Sequence, residues 1–313
     1  MTVKKVILDC DPGHDDAIAI LLALGNKSID LLAITTVSGN ATIEHTTDNA
    51  LKVVEIANRP DVPVYKGNPE PLVRKRENAP SIHGESGMEG PVLAATKIKA
   101  QEEHAVDYLV KTFLHSDGDI TLVATGPLTN VAMAIKREPR ILPKIKELVI
   151  MGGGTFGNWT PNAEFNIYAD AEAAKIVFDS GLKLTMVGLD LSHQALATDE
   201  IVEQVKQINN PVSQFVYELL LFFGKTYKDY FDFEYPPVHD VCCIAYCINP
   251  EVFETTFVHV DVEVAGAITY GTTSVDLHGV TGKEPNTHFA TKLDTNVFWL
   301  MLSDALKSYG GKE

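Results

Sequence analysis

The chain has 313 residues, of which 45% are hydrophobic and 22% are charged, and its formal net charge is −16. This composition is typical of a globular protein with a full-sized core, and the acidity argues against a nucleic-acid backbone or a membrane surface as partner. No apolar run approaches the ~18 residues of a membrane helix. The sequence starts directly with a strand-like run, and its four cysteines form no disulfide framework. A cytoplasmic location is therefore expected.

Aliphatic runs alternate with helix-like segments along the chain. Strands are predicted at residues 6–10, 30–37, 119–124, 148–151 and 184–189, and helices at 17–24, 42–57, 128–136 and 170–181. Continuous aliphatic strands are buried on both faces, and their alternation with helices predicts an α/β fold with a mainly parallel sheet and flanking helices. Because the chain contains no repeat or flexible linker, we expect one domain, residues 1–313, with loop insertions around the active site.

The segments that follow four of these strands are rich in Gly and polar residues. They read DPGHDD, SGN, TGPLTN and GGGTFGNW. Ligands of parallel sheets bind beyond the carboxyl ends of the strands, so these segments are predicted to form the site. A long aperiodic stretch, residues 67–91, has a length that is often functional and commonly that of a lid.

Four carboxylates crowd into the first of these segments, at Asp9, Asp11, Asp15 and Asp16. Favourable charge at a helix N-terminus would explain the last two, but neither Asp11 nor the lack of Lys and Arg from residue 6 to 26. A divalent cation would relieve the repulsion, and all-oxygen ligands favour Ca²⁺ or Mg²⁺. The spacing does not choose between these ions, and the role of Asp9 is left open.

The segment Asp9-Cys10-Asp11 is also an Asp-x-Asp pattern. Phosphotransferases that form an aspartyl-phosphate with Mg²⁺ carry this pattern. They also need a Lys and a later acidic pair, and the remaining partners in this chain match a different chemistry better.

Residues 158–170 collect amides and a carboxylate around Phe165. Loops are often rich in Asn. However, Glu164 and Asn166 are two positions apart, which would point both side chains the same way in an extended segment. A carboxylate with amides offers acceptors and donors to neighbouring sugar hydroxyls.

An apolar helix is predicted directly after His239 and Asp240, where a helix-start role is the ordinary explanation for Asp240. Just before it, residues 222–235 hold seven aromatic residues. Core packing is the usual fate of aromatic side chains, but Tyr227, Tyr230 and Tyr235 would each need a polar partner if buried. A flat aromatic ligand would fit such a patch.

The motifs DCDPGHDDAIAI, SGN, TGPLTN, AEFN and VHD occur in the order found in nucleoside hydrolases. From residue 6 to at least residue 240, the chain resembles this inosine–uridine-preferring family. The resemblance implies a Rossmann-like sheet, one tightly bound Ca²⁺ per chain, and a homodimer or homotetramer. It implies hydrolysis of ribonucleosides such as uridine, cytidine or inosine to ribose and a free base. A phosphotransferase and a non-catalytic nucleoside or ribose sensor remain the alternatives, and the preferred base stays open.

The resemblance also assigns roles to single positions. Asp11, Asp16, Asp240 and the backbone carbonyl of Thr125 match the metal ligands. Asp11 also matches the general base, and His239 matches a group beside the leaving base. Asp15 matches the contact to the ribose 2′-hydroxyl. The other expected substrate-binding residues are Asn40, His83, Asn158, Trp159, Glu164, Phe165, Asn166 and Tyr227.

Overall fold

A nine-stranded sheet runs through residues 3–310, the part of the chain that the computed structural model describes. Its strands are β1 Lys4–Cys10, β2 Ile29–Thr36, β3 Val64–Lys66, β4 Ile120–Ala124, β5 Ile145–Met151, β6 Leu184–Val187, β7 Phe253–Val262, β8 Thr273–Asp276 and β9 Thr287–Leu293. The strand order is β3-β2-β1-β4-β5-β6-β9-β7-β8. All pairs from β3 to β9 are parallel, whereas β7 is antiparallel to both β9 and β8. The predicted α/β fold with a mainly parallel sheet is confirmed.

Helices cover both faces of this sheet. They are α1 His14–Gly25, α2 Ile43–Ile56, α3 Pro80–His83, α4 Ala105–His115, α5 Thr129–Arg137, α6 Phe165–Ala169, α7 Ala171–Phe178, α8 Leu189–Ser192, α9 Asp199–Gln207, α10 Pro211–Phe231, α11 Val241–Ile248 and α12 Thr295–Lys307. Alternate side chains of β1 enter different cores. Val6 and Leu8 pack with α1, α2, α11 and α12, whereas Ile7 packs with α4, α5 and α7.

The predicted strands and helices all form, with shifted ends. The first helix begins at residue 14 and not at residue 17, so it includes both acids of the aspartate turn. The strand predicted at 184–189 ends at Val187 and is followed by the short helix α8. The strands β3, β7, β8 and β9 were not predicted. Within residues 3–310, no helix combines the length and apolar character needed to cross a membrane.

The order of the strands places a crevice between β1 and β4. From β1 the chain continues to β2 and β3 on one side, and β4 then starts the series on the other side. Such a reversal opens a binding crevice at the carboxyl ends of the two central strands. Asp11 follows β1, and Thr125 follows β4, where its backbone N–H donates to the carbonyl of Asp9 at 2.8 Å.

Candidate active site

A cavity opens at this crevice and is bordered by residues from every predicted site segment. Twelve of the expected residues line it: Asp15, Asn40, His83, Thr125, Asn158, Trp159, Glu164, Phe165, Asn166, Tyr227, His239 and Asp240. Five residues that were not singled out also line it: Ala79, Ile82, Met151, Phe223 and Phe231. Asp11 and Asp16 are fully buried beside the cavity. The structure thus brings together the residues that the sequence motifs pointed to.

The aspartate turn forms because Pro12 and Gly13 end β1 and α1 starts immediately afterwards. Asp16 accepts a hydrogen bond from the backbone N–H of Gly13 at 3.0 Å, as an acid in the first turn of a helix often does. Its other oxygen accepts from the Thr125 hydroxyl at 2.7 Å. Asp16 therefore joins the end of β1 to the end of β4 in addition to capping α1.

Asp15 connects the same turn to a distant part of the chain. One of its oxygens accepts from the backbone N–H groups of His239 at 3.1 Å and Asp240 at 3.4 Å. Asp240 precedes α11, but its side chain makes no capping hydrogen bond with the described residues. The ordinary explanation of Asp240 as a helix cap is not supported.

Asp11 lies where the segments after β1, β2 and β4 converge. One of its oxygens accepts from the backbone N–H of Asn40 at 2.6 Å. The other is buried and has no hydrogen-bond partner in residues 3–310. A Cβ atom at Gly39 or Gly126 would collide with the Asp11 carboxylate. This close approach explains the glycines of SGN and TGPLTN.

The electrostatics of this cluster call for a cation. One carboxylate oxygen from each of Asp15, Asp16 and Asp240 lies within 4.8 Å of the others. Burial, followed by repulsion from Asp16, raises the pKa of Asp11 well above its usual range and that of Asp15 to about 7. Among the described residues that line the cavity, none is a Lys or an Arg. Buried oxygens of this kind, one of them without a partner, fit a hard divalent ion.

The extended segment expected for Glu164 and Asn166 is wrong. Glu164 is the N-cap of the short helix α6, and its oxygens accept from the backbone N–H groups of Asn166 at 2.9 Å and Ile167 at 3.1 Å. A third backbone donor, Gly153, lies at 3.0 Å. The cap satisfies donors that would otherwise be orphaned at the helix start, and burial raises the pKa of Glu164 to about 7. Both side chains still border the cavity.

The amides around Glu164 hold the surrounding backbone. Asn166 Nδ2 donates to the Thr125 carbonyl at 2.7 Å. A carbonyl oxygen has two lone pairs, so this expected metal ligand keeps one of them. Asn158 Oδ1 accepts from the backbone N–H of Phe165 at 3.0 Å, and Asn158 also lines the cavity.

The far wall carries a chain of hydrogen-bonding groups around His239. Its Nδ1 lies 2.8 Å from the Ser192 hydroxyl, and its Nε2 lies 2.7 Å from the Tyr227 hydroxyl. Both ring nitrogens are therefore engaged within the protein. Ser192 was not predicted, although it follows β6 and is thus another residue beyond a strand end.

The aromatic stretch contributes one face of α10. Phe223, Tyr227 and Phe231 are four positions apart, so they lie on the same side of the helix, and all three line the cavity. Tyr230 is 58% exposed, and neither it nor Tyr235 is among the described residues that line the cavity. The four-residue spacing of a helix face could have separated Tyr227, which lines the cavity, from Tyr230 and Tyr235, which do not.

The segment 67–91 covers the cavity from the remaining side. It includes the short helix α3, which ends at His83. His83 Nδ1 lies 3.1 Å from His14 Nδ1, and burial lowers the pKa of His14 to about 4 and that of His83 well below its usual value. Before α3 in the same segment, Glu77 accepts a hydrogen bond from Trp159 Nε1 at 3.1 Å. Ala79, Ile82 and His83 of this segment line the cavity, and its role as a lid stays a prediction.

Known proteins share both the sequence and the fold. Residues 6–300 match a family model described as inosine-uridine preferring nucleoside hydrolase. The pyrimidine-specific ribonucleoside hydrolase RihB of Shigella flexneri is 45% identical over 311 residues, which is 99% of each chain. The structure of a purine-preferring ribonucleoside hydrolase from Gardnerella vaginalis has a TM-score of 0.91 at 32% identity and covers 98% of this chain and 99% of its own. The plant nucleoside hydrolase PpNRh1 has a TM-score of 0.89 at 32% identity, over 97% and 99%.

Proposed function

The chain belongs to the inosine-uridine preferring nucleoside hydrolase family, and from this premise we propose that it hydrolyses the N-glycosidic bond of ribonucleosides such as uridine, cytidine and inosine. The products are ribose and the free base. The observation that carries the proposal is the buried carboxylate cluster beside a cavity lined by amides and aromatic rings. A homodimer or homotetramer, a cytoplasmic location and a single domain over residues 1–313 belong to the same proposal.

The metal that this site would hold is Ca²⁺, one per chain. Its ligands would be Asp11, Asp16, Asp240 and the Thr125 carbonyl, and the unpartnered buried oxygen of Asp11 supports this assignment. When bound, the ion would fix the 2′- and 3′-hydroxyls of the sugar and lower the pKa of a water molecule. Asp15 would contact the 2′-hydroxyl from the same side.

The chain's own acids then account for the attack on the sugar. Asp11 takes a proton from the attacking water, whose oxygen bonds to C1′ as the bond from C1′ to the base nitrogen breaks. Glycoside hydrolysis passes through an oxocarbenium-like transition state. The positive charge that develops on the sugar is stabilised by the surrounding carboxylates, which are already held in place by backbone donors.

The leaving base needs a proton or a hydrogen bond on the opposite side. His239 was expected to supply it, but its Nε2 contacts the Tyr227 hydroxyl. We therefore assign the donor to Tyr227, with His239 behind it and Ser192 at the other ring nitrogen. In this arrangement His239 acts through Tyr227: its Nε2–H donates to the Tyr227 oxygen and stabilises the phenolate that forms when Tyr227 gives its proton to the base. The phenolate takes a proton from solvent after the base has left, and Asp11 releases to solvent the proton that it took from the water.

The two alternatives predict different reactions. A phosphotransferase must bind a phosphate anion, yet the described lining of the cavity offers buried acids and no Lys or Arg. A sensor would bind a nucleoside without turnover. The decisive measurement is ribose release from uridine, cytidine and inosine with a reducing-sugar assay, after dialysis against Ca²⁺. Binding without ribose release would support the sensor, and vanadate-sensitive cleavage of p-nitrophenyl phosphate would support the phosphotransferase.

A further inference from the structure

His83 of the segment 67–91 is paired with His14 at the start of α1, and the mechanism above uses neither residue. His14 Nδ1 is 3.1 Å from His83 Nδ1, and His14 Nε2 is 2.7 Å from the carbonyl oxygen of Glu89. Both rings are buried, and the His14 ring stacks on Phe222 and Phe223. The ring of His14 is thus held by contacts on its faces and on both of its nitrogens.

These contacts determine which nitrogen of each ring carries hydrogen. A carbonyl oxygen can only accept, so His14 Nε2 must be protonated and the neutral ring has a lone pair on Nδ1. The 3.1 Å contact then requires hydrogen on His83 Nδ1. The competing donor, the backbone N–H of His14, lies 3.5 Å from the same nitrogen. If it were used instead, two lone pairs would face each other at 3.1 Å.

We propose that His14 is a positioning residue that holds His83 in the Nδ1–H tautomer, so that His83 Nε2 accepts a hydrogen bond from the bound nucleoside. His83 lines the cavity, and its Nε2 has no protein partner within residues 3–310. The 2′- and 3′-hydroxyls are assigned to the carboxylate side. The donor is therefore the 5′-hydroxyl or a ring N–H of the base. The identity of this donor rests on the proposed function, whereas the tautomer does not.

The turn at Gly13 supports this pairing. A Cβ atom at this position would lie 2.6 Å from His83 Nδ1, so only glycine admits the His83 ring at its present distance. Without the acceptor on His14, nothing would keep the hydrogen on Nδ1 of His83. A ring with hydrogen on Nε2 would present a donor to the donor of the substrate.

Two substitutions separate the two contacts of His14. In His14→Asn the amide oxygen takes the place of Nδ1, which keeps the acceptor for His83 and loses the donor to Glu89. In His14→Gln the longer amide reaches the place of Nε2, which keeps the donor and loses the acceptor. We expect His14→Gln to lower kcat/KM by about 10- to 100-fold, the range for residues that orient a functional ligand, and His14→Asn to retain most activity. On a His83→Ala background the two variants should be equal; a persistent difference would overturn the proposal.

Substrate analogues locate the donor. 5′-Deoxyuridine lacks the 5′-hydroxyl, and 3-methyluridine lacks the ring N–H. The wild type should discriminate against one of them, and His14→Gln should lose that discrimination. If the discrimination against both analogues is the same in the wild type and in His14→Gln, the proposal is wrong.

The tautomer itself can be measured without activity or variants of His14. Ring ¹⁵N chemical shifts of the wild-type protein, with His83 assigned by comparison with His83→Ala, should show a protonated Nδ1 and a bare Nε2. Hydrogen on Nε2, or on both nitrogens, would overturn the proposal. The expected shifts together with no ribose release would leave the tautomer established and refute only the proposed function.

Discussion

Asp9 and Asp11 are two buried acids at the same strand end with different surroundings. One oxygen of Asp9 accepts from the Thr35 hydroxyl and the Asn130 amide, and each of the two acids has one unpartnered oxygen. Burial alone raises the pKa of Asp9, to about 7, whereas burial and repulsion from Asp16 and Asp15 raise the pKa of Asp11 well above its usual range. We predict that Asp11→Asn keeps the fold and loses roughly 10²- to 10⁴-fold in kcat, the usual cost of removing a general base. Asp9→Asn is the matched control and should retain activity. Equal kcat values for the two variants with saturating Ca²⁺ would show that another group is the base.

The roles of Tyr227 and His239 can be tested with substrates whose leaving groups differ in their need for a proton. Tyr227→Phe removes only the hydroxyl that lies 2.7 Å from His239. On inosine and uridine it should lower kcat by about 10²-fold or more, within the range of general-acid catalysis, and His239→Ala should match it. p-Nitrophenyl riboside leaves as a stable anion and should be spared by both variants. A uniform loss on all three substrates would assign this pair to the sugar or the metal site instead.

Asp15 provides a test of recognition at the sugar. Its carboxylate is held beside the cluster by the backbone of His239 and Asp240. A site that binds a hydroxyl rejects the analogue without it by several orders of magnitude, because its buried polar groups lose their partner. We predict that 2′-deoxyuridine is a very poor substrate compared with uridine. Comparable kcat/KM values for uridine and 2′-deoxyuridine would show that Asp15 does not bind the 2′-hydroxyl.

The turns that follow the strands determine where the carboxylates of the site lie. Gly39 follows β2 and leaves no space for a Cβ atom beside the Asp11 carboxylate. We predict that Gly39→Ala displaces this carboxylate and lowers kcat/KM by about 10²-fold, since small misplacements in an active site have such effects. Gly224→Ala is the control. Gly224 lies on α10, and a Cβ atom there would meet only Pro236, at 3.6 Å, which is an ordinary van der Waals contact. Wild-type kinetics for Gly39→Ala would show that the turn tolerates a side chain.

The same turns explain how much could be predicted from the sequence. The parallel strands and the motifs after them are local patterns, and their convergence follows from the geometry of a parallel sheet. The partners of His239 and His83 could not be read in this way, because Ser192 and His14 are brought to them only by packing. The helix at Glu164 was missed because α6 has only five residues, which is too short for a visible period.

The buried acids make the stability of the folded protein depend on pH and on the metal together. Burial raises the pKa of Asp15 and of Glu164 to about 7, above the values of about 4 in an unfolded chain. Between these values the unfolded chain has released protons that the folded chain still holds. The contribution of these two carboxyl groups to the free energy of unfolding of the metal-free protein should therefore fall as pH rises from about 4 to about 7. Buried His14 and His83, whose pKa values are lowered, contribute in the opposite direction over the lower part of this range.

Calcium should offset this loss, and more strongly at high pH. A ligand present at a hundredfold excess over its Kd adds about 2.7 kcal/mol to the free energy of unfolding. We predict a larger increase in Tm on adding Ca²⁺ to EDTA-treated protein at about pH 8 than at about pH 5, because at about pH 5 protons compete with Ca²⁺ for the carboxylates. Thermal unfolding followed by circular dichroism measures the increase in Tm at each pH. Equal increases at the two pH values, or none, would argue against a cation at these acids.

The contact between Asp15 and the backbone of Asp240 joins positions that are 225 residues apart in the sequence. This separation determines when the site can form during synthesis of the chain. Asp15 of the turn is made by the ribosome 225 residues before the last proposed ligand, Asp240. Until then the nascent chain carries an incomplete site, and α1 cannot settle against α11. Capture of the proposed cation by all of its ligands would therefore follow the synthesis of Asp240.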